Sequence, residues 1–228
     1  MALYFSGSGG NYAEITNGYG STLSNTSGTF SLWLKPIYDG GVAVATKGSV
    51  LGALLAEPDV ASGAFYFGAN GTTKISNAAF ISDTWVHVVF GGQGTTNLLI
   101  ALGYINGELA CQLPGNAKWA TSAANLYLGR WDTAGSFPYK GWIGDIRVWN
   151  RRLTPAEVVA VYRNQDVTSG LVERWPLTES SGSTITGTIA GLNGTITGTP
   201  TWGGTSIPYG SAPSSGRPQH PMYQQVIG

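Results

Sequence analysis

Apolar residues recur along this chain in short runs, not in long or helically spaced ones. ALYF, TFSLWLKP, VAVATK, GAFYFGA, TWVHVVFGG, NLLIALGYING, NLYLGRW, WIGDIRVWN and GLVERWPL follow one another, separated by Gly, Asn, Ser and Thr. Short runs at regular spacing predict an antiparallel β-sandwich. In FSLWLKP, Phe30, Leu32 and Leu34 alternate with Ser31, Trp33 and Lys35, the two-residue period of a strand with unlike faces. In TWVHVVF, Trp85, His87 and Val89 take one face and Val86, Val88 and Phe90 the other. That strand is expected to be buried on both sides.

YINGEL sets Asn106 and Gly107 between two apolar runs, and this dipeptide suits the positive φ values of a tight hairpin turn. The pattern changes in GWIGDIRVWNRRLTPAEVVAVY, from Gly141 to Tyr162, where a strand feeds a helix. Thr154 can cap it, Pro155 suits the first helical position, and Glu157 completes a capping box. Val158, Val161 and Tyr162 then share one side. A helix of about two to three turns, near 155–164, does not persist alone and must lay that stripe on the sandwich. The Thr/Gly/Ile near-repeat TITGTIAGLNGTITGT, Thr184 to Thr199, predicts a terminal hairpin because β-branched residues suit strands.

SAPSSGRPQHPMYQQVIG, from Ser211 onward, is Pro-rich, shows no period and ends in an apolar hook of Met222, Tyr223, Val226 and Ile227. The expected organisation is one domain over 1–210 and an extended tail over 211–228 that docks on a neighbouring subunit through the hook.

Composition narrows the function classes. Only 11% of the 228 residues are charged and the formal net charge is zero, which excludes a basic nucleic-acid surface or a polybasic membrane anchor. No apolar run approaches the length of a membrane span. Cys111 is the single cysteine, so the fold must stand without an intrachain disulfide. MALYFSGSGG has no basic or long apolar stretch of a signal peptide. The expectation is a chain that stays inside the cell that makes it, or one separated from a leader.

ALYFSGSGGNYAEI, FSLWLKP, VATKGS, GAFYFGANG, DTWVHVVF, YINGELA, LYLGR and GWIGDIRVWNRRLTPAEVVAVY occur in an order that resembles the concanavalin A-like lectin/glucanase superfamily. The likeness is closest to its laminin G-like and pentraxin-like jelly rolls and covers about residues 2 to 164, the last motif being the most specific. It implies an all-β, two-sheet antiparallel jelly-roll sandwich with the short helix near its end. It also implies glycan or protein binding, often assisted by Ca²⁺ at a loop rim.

The hydrolases of that superfamily place carboxylates in an E-x-D-x-x-E pattern, because glycoside hydrolysis needs two flanking carboxyl groups. The chain has no such pattern. Glu57 and Asp59, on either side of Pro58, read as a solvated turn. There is no G-x-S-x-G, H-E-x-x-H or P-loop motif. His87 reads as a core or interface histidine, and His220 lies in the tail. Catalysis is therefore not expected.

For Ca²⁺, which gathers roughly six to eight oxygens, the resemblance offers Asp145 and, with an amide in place of a carboxylate, Asn11. Asp145 can instead pair with Arg147 or Arg151. For glycans, Trp131, Asp132, Tyr139 and Lys140 fall within one rim loop, Arg130 to Trp142, and Trp119 adds a further aromatic ring.

The first expectation is a non-enzymatic virion structural protein, a bacteriophage capsid decoration or tail-associated subunit assembled in the host cytoplasm. It would contact other capsid or tail subunits and form a homo-oligomer. The alternative is a carbohydrate-binding lectin or adhesin, possible calcium dependence included, that meets cell-surface glycans outside the cell. A hydrolase comes last.

Overall fold

The computed structural model describes residues 1–16, 27–37, 44–47, 55–59, 64–69, 72–75, 81–94, 98–113, 125–130, 137–204 and 206–210. Along the chain run β1 (Ala2–Ser6), β2 (Tyr12–Ile15), β3 (Ser27–Pro36), β4 (Val44–Lys47), β5 (Leu55–Asp59), β6 (Ala64–Ala69) and β7 (Thr72–Ile75). Then come β8 (Val86–Gly94), β9 (Leu98–Ile105), β10 (Glu108–Leu113), β11 (Asn125–Leu128), β12 (Lys140–Trp149) and α1 (Pro155–Tyr162). The series closes with β13 (Leu171–Trp175), β14 (Thr184–Ile185), β15 (Gly194–Thr197) and β16 (Thr201–Gly203).

Among the described residues these strands form two antiparallel sheets. The first has the order β10-β9-β8-β3-β12-β1-β16, with β13 also paired to β12; the second has the order β14-β15-β2-β11-β4-β5-β6-β7. This is the antiparallel sandwich that the run spacing predicts, and it has the jelly-roll form that the resemblance implies.

Alternation decides what each sheet buries. Phe30, Leu32 and Leu34 from β3, Val86, Val88 and Phe90 from β8, and Ile143, Ile146 and Val148 from β12 meet Ala13, Ile15, Leu126 and Leu128 of the second sheet in one core. Each large apolar side chain buried there contributes about 1.5–3 kcal/mol. The opposite face of the first sheet is also dry, because Val89, Tyr104 and Trp149 pack against Leu153, Val158 and Val161 of α1 and its approach. The strand over 86–90 is thus buried on both faces, as its sequence predicts.

Local chemistry sets the connections. Asn106 and Gly107 turn from β9 to β10 with φ of 51° and 85°. In α1, the Thr154 side chain accepts from the Glu157 amide and the Glu157 carboxylate accepts from the Thr154 amide. A two-pronged Arg151–Glu157 ion pair braces this cap, and the Arg151 hydrogen bond pulls the Glu157 carboxyl down to about 2. β14 and β15 form the expected terminal hairpin.

One turn expectation is corrected, since Glu57 and Asp59 belong to strand β5. Pro58 lies opposite Phe65 of β6, and among the described residues β5 registers with β4 at Ala56.

Residues 201–204 and 206–210 are fastened to the first sheet and its cover. β16 pairs with β1, the Trp202 indole donates to the Gly182 carbonyl, the Tyr209 hydroxyl donates to Asp145, and the Gly210 amide donates to the Tyr162 carbonyl. Met222, Tyr223, Val226 and Ile227 of the hook lie outside the described residues, as do Trp119, Trp131 and Asp132.

Candidate functional site

β2 and β11 are joined with Leu126 opposite Ile15, Tyr127 opposite Glu14 and Leu128 opposite Ala13. Because Ala13, Ile15, Leu126 and Leu128 fill the core, alternation sends Tyr12, Glu14, Asn125 and Tyr127 to the outer face of the second sheet. There the Asn125 amide donates to Glu14 Oε1 and the Tyr127 hydroxyl donates to the same oxygen at 3.3 Å. Burial, reinforced by the Glu14 charge, raises the Tyr127 phenol above its ordinary value against the opposing pull of Asn125 and Arg130.

Strict alternation would turn Arg130 inward, but Gly129 interrupts it. Its φ is 86°, and a Cβ there would stand 2.4 Å from the Phe5 ring, so glycine is required. Past it, the Arg130 guanidinium lies 3.1 Å from the Tyr12 ring centroid and 5.2 Å from that of Tyr127. A cation held on two aromatic faces is favourable and fixes the guanidinium in place. The face therefore gathers two phenol rings, a carboxylate, an amide and a guanidinium. Such a set can stack against a ring and hydrogen-bond hydroxyl groups. Among these five side chains there is one carboxylate, short of the pair that glycoside hydrolysis uses.

Asp145, expected as a metal ligand, is committed elsewhere. It is 2% exposed and takes a φ of 42°, within the stretch Gly144 to Arg147 where β12 slips register against β3. Its Oδ1 accepts from Arg174 Nε at 2.7 Å and its Oδ2 from an Arg147 terminal nitrogen at 2.6 Å and the Tyr209 hydroxyl at 2.9 Å. Burial acts to raise its carboxyl, but the Arg147 and Arg174 hydrogen bonds and charges prevail and hold it below the ordinary value. A calcium ion would have to displace two guanidinium groups. The pairing with Arg147 foreseen in the sequence is present; the second cation is Arg174, not Arg151.

Asn11 is likewise occupied. Its amide donates to Ser6 Oγ at 2.6 Å and its Oδ1 accepts from the Thr199 backbone at 2.9 Å, which ties the β1–β2 connection to the turn after β15. Among the described residues no group of three or more His, Cys, Asp or Glu side chains is placed to hold a metal ion.

The rim-loop expectation is also revised. Tyr139 is 1% exposed within the core, its hydroxyl donating to the Trp142 carbonyl at 3.3 Å, and burial raises its phenol well above the ordinary value. It offers no surface for stacking. Lys140 already belongs to β12, on the first sheet, opposite Ser6 of β1. Trp131 and Asp132 follow Arg130 directly in the chain.

Sequence reasoning missed Tyr12, Glu14, Asn125, Tyr127 and Arg130. The alternation of YAEI and NLYL marks Tyr12, Glu14, Asn125 and Tyr127 as one-sided, but the pairing of β2 with β11 joins residues 111 positions apart.

The comparisons with known proteins agree with this fold. A laminin G-type family model of the concanavalin A-like lectin/glucanases superfamily matches residues 7–159, more than half of the chain. A Bacteroides ovatus protein named for carbohydrate binding superposes with a TM-score of 0.64 at 20% identity over 88% of this chain and 59% of that one. The chain thus spans less than two thirds of that protein's length. A heptameric SAP-like pentraxin from Limulus polyphemus superposes with a TM-score of 0.52 at 15% identity, over 70% of this chain and 80% of that one. A Trypanosoma rangeli sialidase gives 0.54 at 17% identity, over 70% of this chain and 27% of that one. At these identities the likeness is one of fold. No curated protein matches the chain. The chain belongs to the concanavalin A-like lectin/glucanase superfamily.

Proposed function

We propose that the chain is a non-catalytic glycan-binding module whose site is the outer face formed by Tyr12, Glu14, Asn125, Tyr127 and Arg130. The observation that carries this reading is the convergence of two phenol rings with three hydrogen-bonding side chains, Tyr12, Glu14 and Asn125 half-buried at the surface over a buried Tyr127 and Arg130. A sugar has apolar ring faces and a hydroxylated rim, so it needs both kinds of group side by side. The guanidinium and carboxylate are held by neighbours before any ligand arrives, which lowers the ordering cost of binding.

Trp131 and Asp132 are proposed to extend this site, since they continue the chain from Arg130; Trp119 and Lys140 are proposed as outlying contacts. The Bacteroides protein of the same fold supports the reading. The protein then acts outside the cell or at its surface, where glycans are displayed, and binding at this face does not depend on calcium.

Binding to a glycan array, followed by titration calorimetry on any hit, tests the proposal. Arg130→Ala and Glu14→Gln are each expected to weaken binding at least about tenfold, or about 1.4 kcal/mol, while a chelator leaves it unchanged. A silent array with the intact chain, or undiminished binding in both variants, overturns the reading.

A second reading, the bacteriophage virion subunit, is favoured by one observation. The chain is stitched to the first sheet as far as Gly210, whose amide bonds the Tyr162 carbonyl of α1. On this reading Met222, Tyr223, Val226 and Ile227 would dock on a neighbour and supply part of the roughly 1,200–2,000 Å² that a stable interface buries. Light scattering of the chain with and without 212–228 is expected, on this reading, to show an oligomer that becomes a folded monomer. A monomer in both cases removes it.

A further inference from the structure

We infer that residues 206–210 form an acid-released latch over the outer face of the first sheet, with the buried His87 side chain as its trigger. His87 projects from β8 away from the core and is 1% exposed. Its Nε2 shares a 2.8 Å hydrogen bond with Ser31 Oγ of β3, while its Nδ1 is buried with no hydrogen-bond partner. The ring is wedged between Trp33 of β3, at 5.1 Å, and Tyr162 of α1, at 5.7 Å. Tyr209 closes the same cluster, its ring edge-on to Trp33 at 5.6 Å and its hydroxyl on Asp145 at 2.9 Å.

Charges of both signs surround this cluster. β12 contributes Asp145 and Arg147, whose fields reach His87 in opposite senses. β13 contributes Arg174, bonded to Asp145, and the end of α1 contributes Asn164, bonded to Arg147. The β9–β10 turn contributes the neutral Asn106, whose side chain accepts from the His87 amide. Burial is the main obstacle to a proton on His87, and Arg147 opposes it further while Asp145 favours it. The proton would also leave an Nδ1–H buried without an acceptor.

Relief requires water, and the cover that yields most readily is the latch. α1 is held by its capping box, by the Arg151–Glu157 pair and by Val158 and Val161 in an apolar cluster. Residues 206–210 are held by the Tyr209 hydroxyl, the Tyr209–Trp33 contact, the Gly210–Tyr162 backbone bond and Ile207 against Gly144. Lifting them uncovers Trp33, which packs on His87, and releases Asp145 from Tyr209, which opens a route for water to the ring.

The direction follows from linkage. Burial drives the closed-state His87 down to about 3 from an ordinary value of 6.5, so the closed latch is fully stable above pH 6.5. As pH falls from 6.5 towards 3, the open form takes up a proton that the closed form does not, and opening gains up to about tenfold per pH unit. Asp145, held below its ordinary 3.8, stays ionised through the upper part of that window.

Hydrogen exchange read by mass spectrometry, corrected for the intrinsic pH effect, tests this. From pH 7 to 4.5 the protection of 206–210 is expected to fall about a hundredfold, while β3 and β12 keep theirs. His87→Phe is expected to abolish the response. A second measurement does not need that variant: by reciprocity of linked equilibria, Tyr209→Ala should raise the NMR titration midpoint of His87 by at least about one unit, a tenfold change in proton affinity. The inference is overturned by equal loss of protection in the latch and the core, by an acid response that survives in His87→Phe, or by an unmoved midpoint in Tyr209→Ala.

Discussion

Glu173→Ala is expected to destabilise the protein by about 4 kcal/mol and to lower its melting temperature by about 8–16 °C for a chain of this size. The Glu173 side chain points from β13 into a site with no solvent exposure. Its Oε1 accepts from the Arg174 and Ile189 amides at 2.9 and 2.6 Å, and its Oε2 from the Ala190 and Leu192 amides at 3.0 and 2.9 Å. One carboxylate thus satisfies four backbone donors, three of them in the connection between β14 and β15. The same connection is also held by Thr188, whose amide and hydroxyl both donate to the Arg174 carbonyl, and by Leu192 against the core, but these leave the Ile189, Ala190 and Leu192 amides to Glu173 alone.

The fit around Glu173 is close on every side. A Cβ on Gly187 would approach Glu173 Oε2 to 2.7 Å and the Leu192 carbonyl to 2.5 Å, and the same carbonyl accepts from the Trp175 indole at 2.6 Å. Truncating Glu173 orphans donors that water reaches only if the connection lifts away, and Trp175 then loses its acceptor as well. Glu173→Gln retains one acceptor oxygen and is expected to fall between wild type and alanine. Thermal unfolding followed by circular dichroism checks both; an alanine variant melting within a degree of wild type would falsify this account of the loop.

The elements legible in the sequence are those whose cause is local. The capping box of α1 lies within four residues, Thr154 to Glu157, and the β9–β10 hairpin follows from Asn106 and Gly107 alone. The two-sided burial of 86–90 is written in its own alternation. Glu57 and Asp59 were misread because Pro58 suggests a turn, whereas pairing with β6 decides the matter.

The candidate site is different, because its parts come together only through pairing. Glu14 and Asn125 are neighbours only because β2 lies beside β11, and Arg130 reaches the Tyr12 ring past the positive φ of Gly129, where Phe5 leaves no room for a side chain. Tyr139 looked like a rim aromatic for the converse reason. Its neighbours in sequence are polar and turn-like, but its ring is drawn into the core between the sheets. Asp145 was drawn towards calcium by family pattern, and the register slip in β12 turns it towards Arg174 and Tyr209 instead.

Asp145→Ala is expected to cost about 3–5 kcal/mol, the penalty of leaving a buried charge without its partner. Arg147 is 3% exposed at its side chain and would keep only Asn164 as a side-chain acceptor. Arg174, 27% exposed, can turn to solvent, so the loss is set mainly by Arg147. Tyr209 loses its acceptor in the same step, and protection of 206–210 should fall at neutral pH along with global stability. Two further measurements separate an ion-pair role from a metal role. The loss should be equal with calcium and with chelator, because no metal mediates it. The double variant Asp145→Leu with Arg147→Met should recover much of it, since replacing both buried charges by apolar side chains removes the desolvation cost as well as the attraction. Stabilisation of wild type by calcium that vanishes in Asp145→Ala would reverse the assignment and return Asp145 to the rim chemistry of its superfamily.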